Sequence, residues 1–127
     1  MLEPSIRDLA QGPNFAALTI MPPSGHPMTH VMWVDADDEH VLINTEAHRA
    51  KAKAMDADSR VTVAIMDRDN PYHYAEVRGR VVGTVKGEAA RAHIDALAVK
   101  YTGQPYSNPI TSERVIYQIA PDRQRIQ

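Results

Sequence analysis

Three cationic side chains, Arg49, Lys51 and Lys53, fall within five positions, directly after an apolar segment that ends in Asn44-Thr45 and where a helix begins. A helix N-terminus presents unpaired backbone N–H groups and the positive end of its dipole, so cations beside it complete a site for an anion. Arg offers a planar fork and Lys a point charge, a pairing suited to a phosphate ester. The same run equally fits a short surface helix that carries charge for solubility, and spacing by itself favours that plainer reading. Other chemistry is thinly supported. No GxGxxG, GxxxxGK[ST], GxSxG or HExxH pattern occurs, which removes the usual dinucleotide, phosphotransfer, hydrolase and zinc-protease signatures. His26 and His30 share a strand face, but Pro27 intervenes and no third ligand is placed by spacing, so no metal site is expected. Trp33 and five tyrosines could wall a planar ring, although aromatic residues are more often packing elements, and Trp33 reads first as core.

The elements that must position these residues follow from periodicity. Ile6, Leu9 and Ala10 make one side of a short N-terminal helix that stops at Gly12-Pro13 and plugs one end of the core. Residues 14 to 21 and 27 to 34 read as two strands around Pro22-Pro23-Ser24-Gly25, and 40 to 45 as a third after the acidic turn 35 to 39. A short basic helix is expected over 46 to 58, then strands over 59 to 67 and 72 to 85, with Gly79 marking a bend. Ala90, Ile94, Leu97, Ala98 and Tyr101 define the clearest helix, over 87 to 101, which Gly103 ends. A last strand is expected over 114 to 120. Six strands with short connections and two appended helices favour an antiparallel barrel over a doubly wound α/β fold.

Composition agrees with a single globular domain of 127 residues: 43% hydrophobic, 24% charged, formal net charge −2. A generally basic nucleic-acid binder is disfavoured. No apolar run reaches the length of a membrane-spanning helix and the first residues lack the apolar stretch of a signal peptide, so a cytoplasmic protein without membrane contact is expected. Cysteine is absent, which excludes thiol redox chemistry, disulfides and thiolate metal sites. Any redox role must use a bound cofactor.

Taken together, FAALTIM, PPSGHP followed by MTHVMWV, VLINT running into HRAKAKAM, SRVTVAIMD, NPYHYAEVRGRV and the KYTG…SERVIYQIAPDR ending resemble the pyridoxamine 5'-phosphate oxidase-like split β-barrel. Within it the chain is similar to the flavin/deazaflavin oxidoreductase-B group, and the resemblance spans nearly the whole sequence. It implies a mainly β, six-stranded antiparallel split barrel of the FMN-binding type. It further implies a homodimer with the cofactor at the interface and its phosphate held by Arg49 and Lys51, Lys53 occupying a position usually basic. Asn44 and Thr45 match the strand end that lines the cofactor. Met28, Thr29 and His30 match second-strand positions beside the ring, and Tyr72 and Tyr74 match aromatic positions that reach across from the partner. Because MTHVMWV stands where pyridoxamine-phosphate oxidases carry Arg and Lys, the resemblance favours coenzyme F420 over FMN. The implied activity is F420-dependent hydride transfer to a small unsaturated organic substrate, with no catalytic acid or base assigned. An FMN-dependent oxidoreductase and a non-catalytic deazaflavin- or tetrapyrrole-binding protein are the alternatives.

Overall fold

A computed structural model describes all residues 1–127. The elements are α1 (Pro4–Gln11), β1 (Phe15–Ile20), β2 (Met28–Trp33), β3 (Asp35–Ala36), β4 (Val41–Glu46), α2 (Ala50–Ala57), β5 (Arg60–Asp67), β6 (Asn70–Val85), α3 (Glu88–Thr102) and β7 (Arg114–Ile126). All strands join one antiparallel sheet in the order β2-β1-β5-β6-β7-β4-β3. Its two edge strands, β2 and β3, are joined through Val34 alone, so the sheet must curl until its edges stand side by side. The result is a split barrel.

Alternation sorts the side chains. Ala16, Leu18 and Ile20 of β1, Val61, Val63 and Ile65 of β5, and Val115, Tyr117 and Ile119 of β7 fill the interior with Val41 and Ile43 of β4. Ile6, Leu9 and Ala10 of α1 join the same core, as the N-terminal periodicity requires. Helix α3 instead buries Ala90, Ile94, Leu97 and Ala98 outside the barrel, where it packs on β4 and β7. It ends at Gly103, whose φ of 80° is the left-handed conformation that glycine adopts without strain.

The sheet has seven strands where six were expected. The extra one is β3, a two-residue pairing with Val41 and Leu42 that is too short to leave a periodic trace. The last strand also runs on to Ile126, beyond the expected end at Ala120. Pro121 and the charges after it read as a stop, yet Pro121 lies opposite Gly79 at a register shift between β6 and β7. A Cβ on Gly79 would stand 2.2 Å from the Ala120 carbonyl oxygen, so the two backbones approach there as only glycine permits. The basic helix is shorter than expected and starts at Ala50, with Arg49 as its N-cap residue. No helix is long and apolar enough to cross a membrane.

Candidate functional site

On β4 Val41 and Ile43 turn apolar side chains inward, whereas the outward Asn44 and Glu46 are polar and still buried, at 6% and 1% exposure. They are covered by α3 and by the segment between α3 and β7. Register sets Arg114, the first residue of β7, directly beside Glu46. A cleft of about 310 Å³ opens here. Arg49, Lys51 and Arg114 give it three cations, Asn44 and Thr45 form its β4 side, and Trp33, Met32, Ile94 and Tyr106 form its apolar wall.

Each cation arrives by a different local route. Arg49 caps α2, which has no side-chain hydrogen bond to its first-turn N–H groups, so those donors remain available beside it. Lys51 follows in the first turn and is half-buried; burial, then the charges of Arg49 and Arg114, hold its ammonium below the usual lysine range. Arg114 is 8% exposed. Its Nε donates to Asn44 Oδ1 at 2.9 Å, and its guanidinium lies 5.3 Å from the centre of the Tyr106 ring. Burial pulls the Arg114 guanidinium below its ordinary range against the opposing influence of Tyr106 and Glu46.

Glu46 is the one carboxylate among these groups. Its Oε1 accepts from the Thr111 and Ser112 amides at 2.7 and 2.8 Å, while Oε2 lies 3.8 Å from Arg49 and 4.0 Å from Arg114. Burial pushes this carboxyl up, but donation from Ser112 and Thr111, with the charges of His48 and Arg114, outweighs it and leaves the acid below its usual range. One carboxylate facing three cations leaves two positive charges unbalanced, so the cleft is built for an anion.

The wall is aromatic. Trp33 stacks on Tyr101 of α3 with ring centres 5.0 Å apart and planes 4° from parallel, and meets Tyr106 edge-on at 6.3 Å. Trp33 therefore does not enter the barrel core: it pairs with Phe15 in register, and both rings turn outward beneath α3. That corrects the expectation of a core tryptophan, and the cause is strand parity.

Of the residues expected at a site, Asn44, Thr45, Arg49 and Lys51 meet in this cleft. Lys53 is exposed on α2, two positions past Lys51 and so turned to another face of the helix. Met28 packs against the core from the start of β2, Thr29 bonds Thr19 on the outer surface at 2.8 Å, and His30 lies half-buried opposite Leu18. Tyr74 is half-buried and Tyr72 is 80% exposed, at the far end of β6 from Val85. In register Tyr74 lies across from Met66, which pairs with Phe15 and through it with Trp33, so Tyr74 sits three strands from the cleft wall. Neither tyrosine lines the cleft within one chain. Sequence reasoning missed Arg114 and Glu46, for which the available signal was an arginine opening an otherwise apolar strand, and it offered Tyr106 only as one of the aromatic residues that could wall a ring.

The family model for pyridoxamine 5'-phosphate oxidase matches residues 2–127. The chain belongs to that family. Among solved structures it is similar to a protein named F420 reductase, 28% identical over 98% of each chain with a TM-score of 0.82. A conserved hypothetical protein from Mycobacterium tuberculosis shares the fold at 24% identity and a TM-score of 0.76, over 99% of this chain and 84% of that one. So does a putative pyridoxamine 5'-phosphate oxidase from Listeria innocua, at 21% identity and a TM-score of 0.68, over 93% and 90%. No curated protein sequence matches. The split-barrel expectation and the family resemblance thus hold, with the one added strand.

Proposed function

We propose that this chain is an F420-dependent oxidoreductase that works as a cytoplasmic homodimer and delivers hydride to a small unsaturated organic substrate. The observation that carries the reading is the meeting of Arg49, Lys51 and an uncapped helix N-terminus with the Trp33–Tyr106 wall in one cleft. A phosphate at one end and an apolar planar group at the other match that arrangement. Similarity to the protein named F420 reductase over nearly full length adds support. When bound, a deazaflavin supplies a ring carbon that gives up two electrons as hydride, which suits a chain without cysteine.

Arg49 and Lys51 would hold the phosphate, Asn44 and Thr45 would border the ring, and Trp33 would exclude water from one side. A single-chain cleft of about 310 Å³ sits at the small end of ligand pockets, roughly 300 to 1,000 Å³, so a tricyclic ring with its side chain overfills it. A second copy closes the shortfall, and it is the route by which Tyr72, Tyr74 and the β2 residues Met28, Thr29 and His30 come to border the ring. Lys53 then serves the exposed phosphate side.

Trp33 is the only tryptophan, so its fluorescence reports on the cleft directly. Titration with oxidised F420 should quench it saturably at micromolar concentration, with FMN binding more weakly, and the reduced coenzyme should be reoxidised by enones or quinones. A yellow protein with a flavin spectrum reassigns the cofactor to FMN. Binding without turnover of any acceptor makes the protein a carrier, and binding of neither cofactor ends the reading.

A further inference from the structure

Beside the cleft lies a second, smaller pocket of about 180 Å³. Trp33, Tyr106 and Asn108 line both, so the two chambers adjoin and share a wall. Their chemistry differs. Arg49, Lys51 and Arg114 all face the cleft, whereas no Lys, Arg, Asp, Glu or His lines the smaller pocket. Ala98 and Pro105 extend the apolar surface of the two rings, and Thr102 and Ser107 join Asn108 as uncharged polar groups.

The shared wall is held in place from several sides. The Tyr106 amide donates to Asp95 Oδ1 at 3.1 Å, and Asp95 is itself paired with Arg91 at 2.8 Å, one turn earlier on α3. The Tyr106 ring carries the Arg114 guanidinium 5.3 Å from its centre and meets Trp33 edge-on. Trp33 in turn lies flat on Tyr101, whose hydroxyl is bonded to the Asn14 and Val34 backbone. The Thr102 hydroxyl donates to the Ala98 carbonyl at 2.7 Å and accepts from the Gln104 amide at 3.2 Å, so its proton is committed. Ser107 and Asn108 are left as the donors a ligand can use.

Size and charge narrow what fits. An apolar cavity of about 150 Å³ takes one benzene. A pocket of about 180 Å³ therefore takes a six-membered ring with one or two small substituents, but no fused second ring. A carboxylate or ammonium group there would lose its water without gaining a counter-ion, whereas a carbonyl oxygen can accept from Ser107 or Asn108.

We propose that this pocket is the substrate subsite of the cleft and that it takes a neutral, single-ring conjugated carbonyl compound, with Trp33 and Tyr106 against the ring and Ser107 or Asn108 on the carbonyl oxygen. The proposal rests on reading the cleft as the cofactor's place, and it adds the size and charge of the molecule that sits beside it. An anion and a neutral ring are thereby sorted into neighbouring chambers.

Cyclohexenone is the probe, and the NMR signal of the Trp33 indole N–H, the only indole in the chain, follows its binding. The shift should saturate at millimolar concentration and persist in excess sulfate, which occupies only the cationic cleft. Ser107→Leu fills the pocket from an exposed position and should raise the dissociation constant at least tenfold; should it not fold, Ala98→Val narrows the pocket from the opposite wall and takes its place. A fused two-ring enone should bind at least tenfold more weakly than cyclohexenone. Cyclohexene carboxylate, of the same ring size, should be displaced by sulfate and be indifferent to Ser107→Leu, because only the cleft offers it a cation. Absence of a saturable cyclohexenone shift, its displacement by sulfate, equal binding of the two-ring enone, or a dissociation constant unmoved by filling the pocket overturns the proposal. The cofactor reading fails separately. Cyclohexenone binding with these dependences but with neither F420 nor FMN bound keeps the pocket and removes the coenzyme, while a tight cofactor complex without a cyclohexenone response does the reverse.

Discussion

Glu46→Gln separates the bonds that hold the segment before β7 from the charge that shapes the cleft. Glutamine preserves the shape of the side chain and an oxygen able to accept from Thr111 and Ser112, which donate at 2.7 and 2.8 Å. What disappears is the charge. A hydrogen bond to a charged group contributes about 1.5 to 3 kcal/mol and a neutral one about 0.5 to 1.5 kcal/mol, so two such bonds lose about 2 kcal/mol together. The Arg49 pair adds little, since that side chain is 57% exposed at 3.8 Å, and Arg114 stands at the outer limit of an ion pair, 4.0 Å away. For a domain of this size a loss of about 2 kcal/mol lowers Tm by roughly 6 to 10 °C. Glu46 has its folded-state carboxyl below the ordinary value, so its contribution is complete above the unfolded pKa and vanishes as pH falls through the folded one. The stability gap between wild type and variant should be full at neutral pH, begin to close below about pH 4.3 and be gone in stronger acid. Urea unfolding at a series of pH values measures the gap. Sulfate binding at neutral pH should tighten in the variant, because a negative charge leaves the cleft. Equal stability at pH 7, or a gap that persists unchanged into acid, would refute the idea that this carboxylate ties down the segment.

Arg49→Ala combined with Lys51→Ala should weaken binding of a phosphate-bearing cofactor by more than a hundredfold, since each charge-assisted contact contributes about 1.5 to 3 kcal/mol. Thermal melting should stay nearly unchanged, Arg49 being exposed and Lys51 half-buried without a partner it must satisfy; a large Tm loss with intact binding contradicts the assignment. Gly79→Ala forces a methyl group to within 2.2 Å of the Ala120 oxygen, so β6 and β7 must part, at a cost of about 1 to 3 kcal/mol or more, read by chemical denaturation. Sedimentation of the cofactor complex should give twice the 14.1 kDa of one chain, and a monomer that still binds the cofactor removes the second copy from the site.

How much of this was legible depends on the range of the interactions involved. The strands of the barrel, the N-terminal helix and α3 write their periods into adjacent residues, and Arg49 and Lys51 belong to the same turn, so all could be read locally. Strand β3 is two residues long and has no period to show. The extension of β7 was hidden because Pro121 normally stops a strand, and only its position opposite Gly79 accommodates it. Arg114 comes from a strand that pairs with β4 across most of the second half of the chain, and its role is set by that register. Trp33 was misassigned for a related reason: strand alternation shows that Trp33 opposes Met32, but only pairing with Phe15 shows which of them turns outward.

The same constraint explains why the site lies where it does. A barrel this narrow is filled by Leu18, Ile43, Val63, Tyr117 and their neighbours, so no planar ligand enters it and any binding surface must be made on the outside. An outward strand face is normally solvated and mobile, too loose to aim a guanidinium. Helix α3 and the segment that follows it change that by covering Asn44 and Glu46 respectively, which forces both into a dry setting where every donor and acceptor needs a partner. That demand produces the fixed Asn44 amide and the fixed Arg114, whereas Arg49 and Lys51 at the helix start keep their freedom to close on an arriving anion. Rigid and adaptable cations thus share one cleft.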